Sequence, residues 1–268
     1  MALFDTRAKD IRNLPGFGLT AALAVAFLYA PILFLMLYSF NEGRSISRLD
    51  GLSLRWYSAV FANEEIGGAA LNSVLLAVIA ASTATVMATA AALAMVRMRV
   101  KRKAGAYAVL NFPLMVPEIV TAIATLIFFS SIGLGLGFPA LVIAHTTFCI
   151  PFAYLPIAAR LTSMDPALEA AAADLYARPW RRFTLITLPI LAPGLISGWL
   201  LAFIVSLDDF IISSMLSGPG STTLPVHIYS MLRLGITPEI NAVSSLMVAA
   251  SALVVIASGL IGRHKPQP

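Results

Sequence analysis

The chain has 268 residues, of which 59% are hydrophobic and only 12% charged, and its mean hydropathy is +0.87. Soluble domains carry about 25% charged residues, so an ordinary water-soluble globular protein is excluded and an integral membrane protein is expected. The net charge is +5, but no basic stripe with interleaved aromatics accompanies it, and nucleic acid is excluded as a partner.

The N-terminal segment 1–16 is basic and leads into an apolar run over 17–40. That run is too long for a signal-peptide core and lacks a clear small-residue cleavage site, so it reads as a retained first span. A span needs about 20 apolar residues. By this measure further spans are expected at 69–96, 106–130, 138–160, 189–212 and 241–262. The fourth holds His145, Pro151 and Pro156; prolines are tolerated where neighbours satisfy the freed backbone groups. Cys149 in the same run is the only cysteine, which excludes an intrachain disulfide and favours a packing role.

Lys and Arg placement orients the spans. With the N-terminus inside, inner segments carry 14 of these residues and outer segments 4. Both termini are therefore expected in the cytoplasm. The outer loop 41–68 is long and mixed in charge, and 131–137 (SIGLGLG) is a tight turn. Gly218 to Thr223 (GPGSTT) lacks the lysine of a phosphate-binding loop and reads as an outer turn. Pro225 to Leu234 is a short amphipathic helix at the outer surface.

Between spans four and five lies LEAAAADLYARPWRRFTLITLP, Leu168 to Pro189, on the cytoplasmic side by the charge bias. Asp165 is suited to cap a helix with Pro166 at its first position. Ala167 to Ala177 are mostly strong helix formers, and Arg178-Pro179 ends the helix. Trp180 to Phe183 begins a second short helix, nearly at right angles to the first, and Pro189 opens span five. Two readings fit this pattern: a helix resting on lipid headgroups through its arginines, or a docking helix whose small residues admit a partner.

Leu168, Glu169, Ala171, Ala172, Leu175, Ala177, Pro179, Trp180, Thr187, Leu188 and Pro189 resemble the cytoplasmic EAA motif of ABC-importer permeases. Ala170 stands in the place of the motif glutamate and Tyr176 in that of the motif glycine, so the turn after the helix must be made by other means. The runs SGWLLAFIVSLDDFIISSMLSGPGSTTLPVHIYSMLRLGITPEINA, LYAPILFLMLYSFN, LRWYSAVF and PLMVPEIVTAIATLIFF are similar to the second permease subunit of spermidine/putrescine ABC importers.

This resemblance implies an all-α membrane protein of six transmembrane helices with the type I ABC-importer permease fold. Residues 17–262 form a single permease domain with a coupling loop at 161–188, flanked by cytoplasmic segments 1–16 and 263–268. It implies a multi-pass protein of the bacterial inner membrane that pairs with a second permease subunit, two ATP-binding cassette subunits and an extracytoplasmic substrate-binding protein. ATP hydrolysis falls to the partner chains, and no cofactor or metal is implied. In the coupling loop the contact residues are Glu169, Ala171, Ala172, Leu175 and Tyr176, with Arg178 and Arg181 pairing acidic rims. The resemblance also points to polyamine substrates; the same architecture importing an amino acid or a metal complex, or a stand-alone secondary transporter, are the alternatives.

A polycation path calls for carboxylates and aromatic faces, and charges within spans are functional candidates. Glu118 follows Pro113 and Pro117; counted along a straight helix from Tyr107 it lies about 16 Å in, near mid-membrane. It either lines the path or pairs with backbone freed by Pro117. Asp208 and Asp209 lie about 28 Å beyond Pro189, at a gate or at a solvated helix end. Neighbours on a helix point about 100° apart, so at most one faces a cavity squarely. Tyr29, Phe148 and Tyr154 are the aromatic candidates, with packing as the competing role. For His145, an interhelical hydrogen bond is favoured over metal binding, because no second His or Cys stands at ligand spacing.

Overall fold

A computed structural model describes residues 17–44, 48–235 and 237–263. The N-terminal segment 1–16 and residues 264–268 of the tail lie outside the described residues. Among the described residues, five helices are long and apolar enough to cross a membrane, or six when one sharply bent pair counts as a single span. The chain divides into two compact units, residues 1–62 with 235–247, and residues 63–234 with 248–268.

In the first unit, α1 (Phe17–Tyr38) is apolar around its circumference, with Leu19, Phe27, Leu33 and Phe34 all exposed, as expected for a helix solvated by lipid. Beyond it the mixed-charge loop is more ordered than its composition suggests. Asn41 pairs with Leu52 in a single antiparallel bridge. The Asn41 side chain donates to the Arg48 carbonyl (2.7 Å) and accepts from the Asp50 N–H (3.0 Å), and its carbonyl accepts from Trp56 Nε1 (2.8 Å). A short helix, α2 (Arg55–Ala62), follows.

The second unit opens with α3 (Glu64–Arg97), which starts ahead of the expected residue 69. Asn63 caps it, accepting from the Glu65 and Ile66 N–H groups, and Glu64 and Glu65 complement its N-terminal dipole. Ala77, Ala81, Ala84, Ala88 and Ala92 form a buried stripe along it. That stripe packs in one core with α6 (Phe138–Thr162) and α9 (Leu188–Asp208). Hydrophobicity does not drive helices together in lipid; close packing of small residues does. On α9, a Cβ added at Gly198 would stand 2.6 Å from the Ala153 carbonyl oxygen, and one at Gly194 2.8 Å from the Arg160 Cβ. Both positions admit only glycine at this approach. The fourth span holds as one helix despite Pro151 and Pro156.

The third span does not. It is two helices, α4 (Val100–Met115) and α5 (Glu118–Ser131), bent by 104°. Pro117 pushes Val116 into extended backbone (φ −95°, ψ 136°). A straight-helix count through this break has no basis, and Glu118 becomes the first residue of α5.

The loop helix α7 (Pro166–Asp174) starts as expected, with the Asp165 carboxylate accepting from the Ala167 N–H at 2.9 Å. It ends earlier than expected. Tyr176 N–H donates to the Ala173 carbonyl (2.9 Å) and Ala177 N–H to the Ala172 carbonyl (3.1 Å), the pattern of a Schellman terminus. The residue at its turning point is Tyr176, with φ 57°. The tyrosine therefore adopts the left-handed conformation itself, at a penalty of about 1–2 kcal/mol, rather than turning by other means.

Arg178-Pro179 then starts a helix: α8 (Pro179–Arg182) runs through a π-turn (Phe183–Thr187) directly into α9. Pro189 thus lies inside a helical segment rather than opening it. Pro189 has no N–H to donate, and the wider turn, closed by Leu188 N–H on the Phe183 carbonyl, accommodates it. The fifth span also ends sooner than residue 212. It breaks at Asp209 (φ −65°, ψ 122°) before the short α10 (Ile211–Leu216). The amphipathic helix appears as α11 (Leu224–Leu234), and α12 (Pro238–Arg263) completes the chain. Gly218 to Thr223 forms a turn in which Gly218 N–H donates to Ser221 Oγ (2.8 Å). Asn72 of α3 anchors it by donating to the Gly220 and Thr222 carbonyls.

Candidate functional site

Two features of the second unit concentrate polar chemistry. The first lies where the two helix breaks meet. Asp209, in the break between α9 and α10, is buried, its side chain 2% exposed. Its carboxylate accepts from Ser213 N–H (2.9 Å) and Ile212 N–H (3.3 Å), which are unsatisfied donors in the first turn of a helix. His145, buried in the middle of α6, shares hydrogen bonds with Ser206 Oγ through Nδ1 (2.8 Å) and with Ser213 Oγ through Nε2 (3.1 Å). Its Nε2 stands 3.6 Å from Asp209 Oδ1. Glu118, at the start of α5, lies within side-chain hydrogen-bonding reach of Asp209 and is half-buried. Asp208, the last residue of α9, is exposed.

Glu118 and Asp209 are thus brought together from residues 91 positions apart in the chain, and the adjacent aspartates diverge, one buried and one open. The interhelical hydrogen bonding expected of His145 is present, with Ser206 and Ser213 as partners. Those serines were not singled out from sequence. Their signal was there: two hydroxyls seven residues apart, flanking the Asp208-Asp209 pair in an apolar run.

The aromatic candidates take other contacts. Tyr154 is 5% exposed and donates its hydroxyl to Met95 Sδ (3.0 Å), with Tyr107 edge-on at 6.2 Å. Phe148 packs against Phe152, with ring centroids 5.5 Å apart. Tyr29 stands exposed on α1 of the first unit.

The second feature is the loop of α7 and α8. Leu168, Ala171 and Leu175 recur at the i, i+3, i+7 spacing of one helix face, and all are exposed, Leu175 to 82%. Tyr176 at the turn is 95% exposed, and Trp180, Arg178 and Arg181 are exposed as well. The adjoining face carries Glu169 and Ala172. Ala172 is 6% exposed, so it packs within this chain and is not a surface contact. Glu169 also turns inward: its Oε1 accepts from Thr187 Oγ1 (2.9 Å), itself buried at the base of α9. A cavity of about 450 Å³ lies beside this bond, lined by Glu169, Trp180, Arg182, Phe183 and Thr187 among others. The Arg182 Nε is buried there without a hydrogen-bond partner among the described residues.

Residues 73–264 match the family of the binding-protein-dependent transport system inner membrane component. The chain is 39% identical to the putrescine transport system permease protein PotI of Escherichia coli (strain K12) over 253 residues, covering 91% of this chain and 90% of that one. It is also 39% identical to the spermidine/putrescine transport system permease protein PotC of Haemophilus influenzae, covering 89% of this chain and 93% of the relative. Among solved structures, a bacterial ABC transporter that imports the acidic polysaccharide alginate matches with a TM-score of 0.72 at 17% identity, over 92% of this chain and 93% of that one. The methionine ABC transporter MetNI, in an inward-facing conformation, matches with a TM-score of 0.61 at 19% identity, over 74% and 94%. These structures share the fold. The chain belongs to the binding-protein-dependent transport system inner membrane component family and is a multi-pass permease subunit of the bacterial inner membrane.

Proposed function

We propose that this permease forms half of the membrane path of a polyamine importer, taking putrescine or spermidine. The observation that carries the reading is the 39% identity, sustained over about nine-tenths of the chain, to permeases named for those two substrates. The carboxyl groups fit it. Glu118 and Asp208 offer charge to an ammonium group within an otherwise apolar bundle, where a charge-assisted hydrogen bond is strong. Asp209 lies behind them, enclosed by protein groups and apart from the path. Of the aromatic candidates, Phe148 is half-buried on α6 and supplies a face, whereas Tyr154 is enclosed with its hydroxyl held by Met95.

The partners in this reading are a second permease subunit, two cytoplasmic ATPases and an extracytoplasmic binding protein. ATP is hydrolysed on the ATPases. Both termini and the α7–α8 loop face the cytoplasm, in keeping with the distribution of Lys and Arg. The exposed face of Leu168, Ala171, Leu175 and Tyr176 seats in a groove on the ATPase, and Arg178 and Arg181 meet its acidic rim. Closure of the ATPase dimer draws the two coupling loops together. Because α8 continues into α9 without a break and Glu169 ties α7 to Thr187, the displacement passes to the spans as a rigid-body movement.

The test is ATP-dependent uptake by the complete importer in liposomes, with labelled putrescine, spermidine, an amino acid and a metal complex. Saturable uptake of the polyamines alone is expected. Uptake of an amino acid or a metal complex instead reassigns the substrate, and transport by this chain without an ATPase overturns the importer reading.

A further inference from the structure

The two adjacent aspartates at the end of α9 occupy different environments, and the difference divides their labour. Asp209 is enclosed: its side chain is 2% exposed, it accepts from two backbone N–H groups of α10, and His145 and Glu118 stand beside it. His145 reaches both sides of the break, holding Ser206 of α9 and Ser213 of α10. Asp208, one residue earlier, is exposed.

We propose that Asp209 is a positioning residue: with His145 it pins the break between α9 and α10, and so sets where Asp208 and Glu118 meet a cationic substrate. The assignment rests on the polyamine reading for the substrate, but the pin itself does not. In an apolar medium the backbone donors freed at a helix break must be satisfied within the protein, and Asp209 satisfies two of them. Each N–H takes its own oxygen, Ser213 on Oδ1 at 2.9 Å and Ile212 on Oδ2 at 3.3 Å, and the shorter bond needs an acceptor oxygen and not a charge. Asparagine caps helix termini about as well as aspartate; it keeps one acceptor oxygen for the Ser213 N–H and gives up the longer Ile212 bond, because its amide nitrogen only donates. A residue that binds an ammonium group needs the charge itself.

The experiment compares Asp209→Asn, Asp209→Ala and Asp208→Asn in the complete reconstituted importer. It measures kcat and KM for labelled putrescine, and backbone amide exchange over 209–216. Asp209→Asn is expected to hold KM within about twofold of the parent with the Ser213 amide still protected, whereas Asp209→Ala lowers kcat about tenfold and exposes both Ile212 and Ser213 to exchange. Asp208→Asn is expected to raise KM about tenfold and leave exchange unchanged. Equal rises in KM for Asp208→Asn and Asp209→Asn would make Asp209 a cation contact and overturn the pin while leaving the polyamine reading intact. Parental exchange in Asp209→Ala would also overturn it. If the parent importer moves no putrescine, the polyamine reading fails, and the exchange data alone decide for or against the pin.

Discussion

The turn after α7 and the break after α9 solve the same problem in opposite ways. Each interrupts a helix and frees backbone groups that must find partners. At Tyr176 the backbone closes on itself through two local hydrogen bonds, so the side chains of Leu175 and Tyr176 are left fully exposed. At Asp209 the side chains do the closing: a carboxylate takes the N–H groups and a histidine from another helix braces both sides. The first arrangement leaves a surface open. The second holds a fixed polar point inside the bundle. The helix α9, with the π-turn and α8 at its base, joins the two.

The strongest way to break this comparison is to displace the connecting helix. At Gly198 an added Cβ meets the Ala153 carbonyl oxygen at 2.6 Å, a backbone atom that cannot swing aside. Gly198→Val should destabilise the bundle by about 3 kcal/mol, the upper end for overpacking. Size-exclusion chromatography of the detergent-extracted protein should then show loss of the monodisperse species, and a parental profile would mean that α6 and α9 do not approach as closely as described.

Charging the exposed face has the next largest effect. Ala171→Glu with Leu175→Glu should abolish copurification with the ATPase, and transport with it, while leaving the polar break untouched. Retained assembly and transport would remove the docking role from this face. A smaller effect is expected for the tie between loop and span. Glu169→Ala leaves the buried Thr187 hydroxyl without its acceptor, worth about 1–3 kcal/mol. The expected result is fewer substrate molecules moved per ATP hydrolysed, with assembly intact. Glu169→Gln, which keeps an acceptor oxygen, should restore the ratio; failure of that rescue would mean that the charge matters rather than the bond.

The smallest change is at the turn itself. Tyr176→Gly relieves a left-handed conformation at about 1 kcal/mol, and should raise the unfolding midpoint of the permease by about 2 °C. A lower midpoint, measured by intrinsic fluorescence during heating, would mean that the exposed ring is holding the loop.

Much of this was legible from the amino acids. The apolar runs located the spans, and Asp165-Pro166 marked the start of α7, because caps and first-turn prolines act locally. Pro117 was equally visible, but a proline inside an apolar run is compatible with either a tolerated kink or a full break, and hydropathy does not separate the two. The break at Asp209 had no glycine or proline to announce it. It depends on His145, more than sixty residues earlier, and a pairing at that range carries no periodic signal. The tyrosine at the motif glycine was misleading for a different reason. A left-handed tyrosine is disfavoured by only about 1–2 kcal/mol, which the Schellman hydrogen bonds offset. On α7, the grouping of Leu168, Ala171 and Leu175 on one outward stripe follows helical spacing, with Glu169 and Ala172 beside it. Which face turned inward depended on Thr187, and that required the fold.

The central claim is that a cation passes these spans by way of carboxylates. The most direct measurement is the KM of ATP-driven putrescine uptake by the reconstituted importer carrying Glu118→Gln together with Asp208→Asn. Loss of both charges should raise KM by at least about tenfold, with the assembled complex and its ATPase activity retained. An unchanged KM in an intact complex would contradict the carboxylate path.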